Sequence, residues 1–68
     1  MDPEVTLTNA DQAVSDCDAE TAREYLGYYR EWRGKGGFEP YHRAAGKFGD
    51  EFAHNIEQRL ESLELQTR

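Results

Sequence analysis

The strongest hydrophobic pattern of the chain lies between Phe38 and Leu65 and predicts a long helix. At about 100° per residue, its apolar side chains fall within an arc of roughly 80°, which is typical of one helix face. These side chains are Tyr41, Ala45, Phe48, Phe52, Ile56 and Leu63, with Leu60 just outside the arc. Pro40 fits the first turn of such a helix, where its missing N–H is harmless. We therefore predict a helix over residues 39–65.

The middle of this helix leaves two interpretations open. Gly46, Gly49 and Ala53 stack on one flank, where small side chains would let another helix approach closely. Alternatively, the glycines mark a bend or a break near Gly49, and Asp50 caps a new helix. The hydrophobic pattern does not decide between them.

A second helix is predicted over residues 19–33. Asp18 is a suitable N-cap, because its carboxylate can accept hydrogen bonds from the first backbone N–H groups of the helix. The apolar residues then occupy an arc of about 140°. They are Ala19, Ala22, Tyr25, Leu26, Tyr29 and Trp32. Gly34 ends the helix, and the glycine-rich residues 34–37 form a loop.

The amino-terminal segment carries weaker signals. Thr8 or Asn9 is a suitable cap for a short helix that ends between Ser15 and Asp18. Residues 1–7 are predicted to form a flexible arm, and residues 66–68 a frayed tail. The whole chain, 1–68, is then one all-α domain: a helical hairpin of residues 19–33 and 39–65 with a short amino-terminal helix.

The small size of the chain predicts self-association. A chain of 68 residues buries only about 60% of its unfolded surface, and this one has few aliphatic residues. Cys17 is the single cysteine, so it has no partner for an internal disulfide, and no residues show zinc-ligand spacing. Association is the remaining way to add core, so we predict a homodimer that forms a helical bundle. Its melting temperature should then rise with protein concentration.

The predicted location is the cytoplasm. A single cysteine is typical of a reducing compartment. The first residues include Asp2 and Glu4 but no base, which argues against a secretory signal. No apolar run approaches the roughly 20 residues that span a bilayer, so no membrane association is expected.

Few residues point to catalysis. Glu51 and His54 have the Glu-x-x-His spacing that supplies two ligands in di-iron helical bundles, but His54 projects to the polar side of the helix. His42 lies on the flank of the apolar arc and is expected to be a surface or capping residue. Cys17 has no base beside it in the sequence. We therefore predict no enzymatic activity, no metal and no cofactor.

The formal net charge of −6 is unevenly distributed. Segments 1–20, 21–49 and 50–68 carry net charges of −6, +3 and −3. A basic and aromatic centre therefore lies between two acidic ends. This arrangement suggests two classes of partner, which differ in the segment that they contact.

The leading prediction is a small acidic module that binds another protein through a helical face. Tyr28 and Trp32 are its candidate aromatic anchors, and its candidate charged contacts are Asp50, Glu51 and Glu57. One specific form is an inhibitor or regulator whose carboxylates mimic nucleic-acid charge. The alternative is a nucleic-acid-binding protein that uses the central segment 25–47, although the net charge opposes it. Its candidate contacts are Arg30, Arg33, Lys35, Arg43 and Lys47.

Overall fold

The computed structural model describes residues 2–66, which form three helices and one β-hairpin. Helix α1 spans Pro3–Ser15, α2 spans Ala19–Gly34 and α3 spans Gly49–Gln66. Strand β1, Tyr41–His42, pairs antiparallel with β2, Lys47–Phe48, so that Tyr41 lies opposite Phe48 and His42 opposite Lys47. Helix makes up 72% of the structure, and the predicted all-α class is confirmed.

Helix α1 begins earlier than predicted. The carboxylate of Asp2 caps it, because Asp2 Oδ1 accepts from the N–H groups of Glu4 at 3.0 Å and Val5 at 3.3 Å. Pro3 occupies the first turn, where no N–H is needed. Leu7 is completely buried. The predicted start at Thr8 or Asn9 is therefore wrong, and so is the flexible arm for residues 3–7; Met1 lies outside the described residues.

Helix α2 confirms the second predicted helix to within one residue. Asp18 Oδ1 accepts from the Thr21 N–H at 3.2 Å, and the hydrogen bonds to Thr21 lower the pKa of Asp18. The short connection before it reverses the chain through Cys17, which has the left-handed φ of 61°. The Asp18 N–H then donates to the carbonyl of Ala13 at 2.8 Å, closing the end of α1. This turn brings α2 back against α1.

The predicted helix 39–65 is wrong in its first third. Residues 41–48 form the β-hairpin, and α3 begins at Gly49, which confirms the break as the better of the two interpretations. Gly46 has a φ of 67° in the turn and donates its N–H to the carbonyl of His42 at 2.9 Å. Asp50 lies in the first turn rather than at the cap, and its N–H donates to Glu39 Oε2 at 3.0 Å.

The hairpin also changes the predicted core. Tyr41 and Phe48 are 50% and 55% exposed, and their rings pack edge to face with centroids 5.1 Å apart. They therefore cover each other rather than a helix interface. Of the remaining predicted arc, Phe52, Ile56 and Leu60 are buried, and Leu63 is half-buried.

The core lies between the three helices. Its buried residues are Leu7, Ala10, Ala13, Val14, Ala22, Leu26, Tyr29, Phe52, Ala53, Ile56 and Leu60. Four of them are alanines, which let the helix backbones approach closely. One chain encloses this core by itself, and self-association remains a prediction.

The carboxyl-terminal part of the chain bears on two sequence predictions. Gln66 is the last residue of α3, whereas Thr67 and Arg68, the rest of the predicted frayed tail, lie outside the described residues. Within residues 2–66, no helix is both long enough and apolar enough to cross a membrane.

Candidate functional site

Three aromatic residues form one continuous patch at the end of α2, which we call the α2 aromatic surface: Tyr28, Trp32 and Phe38. The indole Nε1 of Trp32 donates to the carbonyl of Phe38 at 3.2 Å, and the two rings meet edge to face at 5.6 Å. Gly37 lies directly on the indole, where any Cβ would overlap the ring. The loop can therefore fold over Trp32 only because residue 37 is a glycine.

A shallow cavity opens beside Trp32. It has a volume of about 210 Å³ and is lined by Tyr28, Glu31, Trp32 and Lys35. Lys35 Nζ and Glu31 Oε1 form an ion pair of 2.9 Å at its rim. Tyr28 is 46% exposed and Phe38 65% exposed, so much of their aromatic area faces solvent. The predicted anchors Tyr28 and Trp32 are thus brought together, and Phe38, which precedes the predicted helix 39–65, is an addition that the sequence analysis does not name as an anchor.

Half of the predicted charged contacts pair with one another, and Lys35 pairs with a different residue, Glu31. Arg33 binds Asp50 through two hydrogen bonds of 2.9 Å, from Nε to Oδ1 and from Nη2 to Oδ2. Asp50 Oδ1 also accepts from the Tyr29 hydroxyl at 2.8 Å. Arg30 pairs with Glu57, and Lys35 with Glu31 as described above. Within residues 2–66, Glu51 is the predicted acidic contact that has no ion pair.

The two remaining candidate bases lie in the hairpin. In the part of the chain that the structure describes, neither Arg43 nor Lys47 has an acidic partner. Tyr41 and Phe48 point to one face of the hairpin, whereas Lys47 lies opposite the buried His42 on the other. The predicted nucleic-acid contacts are therefore divided between paired bases on α2 and unpaired bases on the hairpin.

The ion pair between Arg33 and Asp50 predicts a response to acid. The Arg33 guanidinium and the Tyr29 hydroxyl lower the pKa of Asp50 below its ordinary 3.8. The folded state therefore binds fewer protons than the unfolded state, so this stabilisation is present above pH 3.8 and is lost as the pH falls through the folded pKa. In urea unfolding between about pH 5 and about pH 2, we expect Asp50→Asn to lose stability less steeply than the wild type.

Glu51→Gln is the matched control for that measurement, because it removes the neighbouring carboxylate, which has no ion pair within residues 2–66. It should follow the wild-type pH profile. Equal slopes for the wild type and Asp50→Asn would show that the Arg33 pair does not stabilise the fold.

His42 departs furthest from its predicted role. It is 4% exposed, and its ring packs against Phe52 with centroids 4.6 Å apart. Its Nδ1 accepts from the Ala45 N–H at 3.1 Å, so His42 caps the hairpin turn. Of its two predicted roles, capping residue and surface residue, the second is wrong. Its Nε2 lies 2.7 Å from Thr8 Oγ1, a contact across 34 residues that no local pattern could indicate.

The reactive side chains are spread over the molecule. Cys17 is exposed in the turn between α1 and α2, and Glu51 and His54 are exposed on α3. Among residues 2–66, no group of three or more histidine, cysteine or acidic side chains is placed to hold a metal ion. Comparisons of the chain with protein-family models, with curated proteins and with solved structures give no match.

Proposed function

We propose that the chain is a protein-interaction module that performs no chemistry and binds a partner protein through the α2 aromatic surface. The observation that carries this proposal is the exposure of Tyr28, which lines the cavity with Trp32, and of Phe38, whose ring packs edge to face on Trp32. Tryptophan and tyrosine are enriched among the residues that dominate interface energies, and they act best in small pockets surrounded by polar groups. The Glu31–Lys35 ion pair supplies such a polar rim.

The size of the cavity favours a protein side chain over a small-molecule ligand. Its volume of about 210 Å³ lies below the range of about 300–1,000 Å³ that is usual for ligand pockets. It is large enough for one apolar side chain. We therefore propose a partner segment that inserts an aliphatic or aromatic residue beside Trp32.

Charge mimicry is a less favourable form of the same function. Asp50 and Glu57 are already bound by Arg33 and Arg30, so their charges are partly neutralised within the chain. A basic partner would have to compete with those arginines. We accordingly assign the binding energy to the aromatic anchors and propose that the surrounding acids influence the choice of partner.

The test is retention of partners from a cell lysate by the immobilised chain. We expect proteins held by the wild type at about 150 mM salt to be lost from a Tyr28→Ala/Phe38→Ala variant, with a fall in affinity of at least about tenfold. The matched control is Tyr41→Ala/Phe48→Ala, which removes a similar aromatic pair from the hairpin and should retain the same proteins. Retention by both variants, or loss from both while each keeps its melting temperature, would contradict the assignment.

A dimer of this chain is the simplest case of a protein partner. If the α2 aromatic surface forms the dimer interface, the melting temperature should rise with protein concentration, and the rise should be absent from Tyr28→Ala/Phe38→Ala. If the melting temperature does not depend on protein concentration, the chain does not form this dimer, and the partner is a different protein. A cytoplasmic location, with a role as inhibitor or regulator, is proposed on the sequence arguments alone.

The second candidate function is nucleic-acid binding, and the ion pairs support the bases of the hairpin rather than those at the end of α2 as its contacts. Within residues 2–66, Arg43 and Lys47 are the bases without an ion pair, and they accompany the exposed pair of Tyr41 and Phe48. Because Lys47 lies on the opposite face of the hairpin, we expect only weak single-strand binding and none to duplex at physiological salt.

Fluorescence anisotropy with a labelled thymidine oligonucleotide tests this candidate. Two phosphate contacts give a slope of log affinity against log salt of about −1.4 for a single strand. Binding at low salt should disappear in Arg43→Ala/Lys47→Ala and persist in Arg33→Ala/Lys35→Ala. The reverse result would place the site at the end of α2, at Arg33 and Lys35.

A further inference from the structure

We propose that His42 is a pH-sensitive latch, which holds the β-hairpin on α1 while its imidazole is neutral and releases the hairpin when the imidazole is protonated. The interaction surfaces described above do not use this residue. His42 is a buried ionisable residue whose ring packs against the apolar ring of Phe52.

The hydrogen bonds around His42 determine which ring nitrogen carries the hydrogen. The Ala45 N–H donates to Nδ1, so Nδ1 carries none. In the neutral ring the hydrogen is then on Nε2, which lies 2.7 Å from Thr8 Oγ1. The Thr8 hydroxyl donates to the carbonyl of Glu4 at 3.0 Å, which leaves its oxygen able to accept from Nε2. The donors therefore run in one direction, from the hairpin turn through the imidazole into α1.

Protonation breaks this chain at its first step. An imidazolium has an N–H on both nitrogens, and the new one on Nδ1 would face the N–H of Ala45. Two donors cannot bond to each other, so the Ala45 N–H would lose its acceptor and the new N–H on Nδ1 would point at a donor. The ring must therefore leave its position to satisfy the added hydrogen.

Among residues 2–66, the charged groups that line the cavity beside the ring include no carboxylate without an ion pair. Each packed element contributes one to the cavity that His42 lines: Asp11 from α1, Lys47 from β2 and Arg59 from α3. Asp11 is already paired with Arg59, and Lys47 is a cation. An imidazolium at this position would thus meet a net positive environment.

Release would be confined to the hairpin. The preceding loop is held separately, because Trp32 Nε1 donates to the Phe38 carbonyl and Arg33 Nη1 donates to the Gly37 carbonyl at 2.6 Å. Residues 41–48, in contrast, contribute His42 as their buried side chain. The three helices keep their common core when the hairpin opens.

The chain contains two histidines, and the second provides the control. Thermal unfolding is followed between about pH 7.5 and about pH 5.5, which brackets histidine titration and avoids that of the carboxylates. Because a protonated His42 cannot keep its hydrogen bond from Ala45, the melting temperature of the wild type should fall as the pH falls. It should fall equally in His54→Gln, whose side chain is exposed, and remain level in His42→Asn, whose amide oxygen can still accept from Ala45.

Amide hydrogen exchange in the wild type tests the latch even if His42→Asn fails to fold. Relative to Leu26 in the core, the protection factors of Ala45 and Gly46 should fall about tenfold over the same pH range. Ring nitrogen spectra at the upper pH should show the hydrogen of His42 on Nε2. The proposal would be overturned by unchanged protection factors of Ala45 and Gly46, or by a hydrogen on Nδ1 of His42. It would also be overturned if the pH dependence of the melting temperature disappeared in His54→Gln instead of His42→Asn.

Discussion

Leu7→Ala is expected to lower the free energy of unfolding by about 2–5 kcal/mol. Leu7 is completely buried in the shared core of the three helices, so truncation removes its transfer free energy and leaves a cavity. At about 0.05–0.15 kcal/mol per residue, a domain of 68 residues has a total stability of about 3–10 kcal/mol. The substitution should therefore remove a large share of the stability and leave part of the population unfolded.

Urea unfolding followed by circular dichroism measures this effect, and Val5→Ala is its matched control. Val5 lies in the same helix, two residues away, but is 52% exposed, so its truncation should change stability by no more than about 0.5 kcal/mol. If Leu7→Ala were as stable as Val5→Ala, the first turns of α1 would be an undocked arm, as the sequence pattern suggested.

The reliability of the sequence predictions followed the number of independent signals for each element. Helix α2 has a capping Asp18, a broad apolar stripe and a terminal Gly34, and all of them agree on its bounds. The first turns of α1 have one buried aliphatic residue, Leu7, and a proline that is compatible with either a helix start or an arm. The cap at Asp2 decides between them, but a single acidic residue near a terminus is too common a feature to carry that prediction.

The hairpin was missed because its spacing is ambiguous. Tyr41 and Phe48 are seven residues apart, which is about two turns on a helix but also fits directly opposed positions on a short hairpin. Gly46 resolves the ambiguity in the structure through its left-handed φ of 67°. In the sequence alone, Gly46 fits a small residue on a helix flank as well as a turn residue.

The sequence predicts which residue types make up the candidate site, but not which of its charged residues pair with one another. The sequence places bases on α2 and acids on α3, and their attraction between packed helices is expected. Which arginine meets which carboxylate depends on the relative rotation and shift of the two helices. Arg33 reaches Asp50 and Arg30 reaches Glu57 only in the register that buries Tyr29. The exposed aromatic patch likewise depends on the fold of the loop over Trp32.

Tyr29 lies where α2 meets the start of α3, and Tyr29→Ala is expected to cost about 3–5 kcal/mol. Its side chain is 1% exposed, and its hydroxyl is so close to Gly49 that a Cβ there would overlap it. Removal of the ring would leave a cavity beneath the start of α3. Asp50 would keep Arg33 but lose the hydroxyl as a donor.

Tyr29→Phe separates the ring from the hydroxyl and should cost about 1.5–3 kcal/mol in urea unfolding at neutral pH, because the packing is kept and one hydrogen bond to a charged group is lost. Burial, followed by the hydrogen bond to Asp50, raises the pKa of Tyr29 above its ordinary 10. The folded state thus holds the phenol proton more tightly than the unfolded state, so this stabilisation is complete below pH 10 and is lost as the pH rises toward the folded pKa. The wild type should therefore lose stability above about pH 10 more steeply than Tyr29→Phe. Two results would contradict this role of the hydroxyl and its bond to Asp50. One is that Tyr29→Phe is as unstable as Tyr29→Ala. The other is that Tyr29→Phe and the wild type lose stability equally steeply above about pH 10.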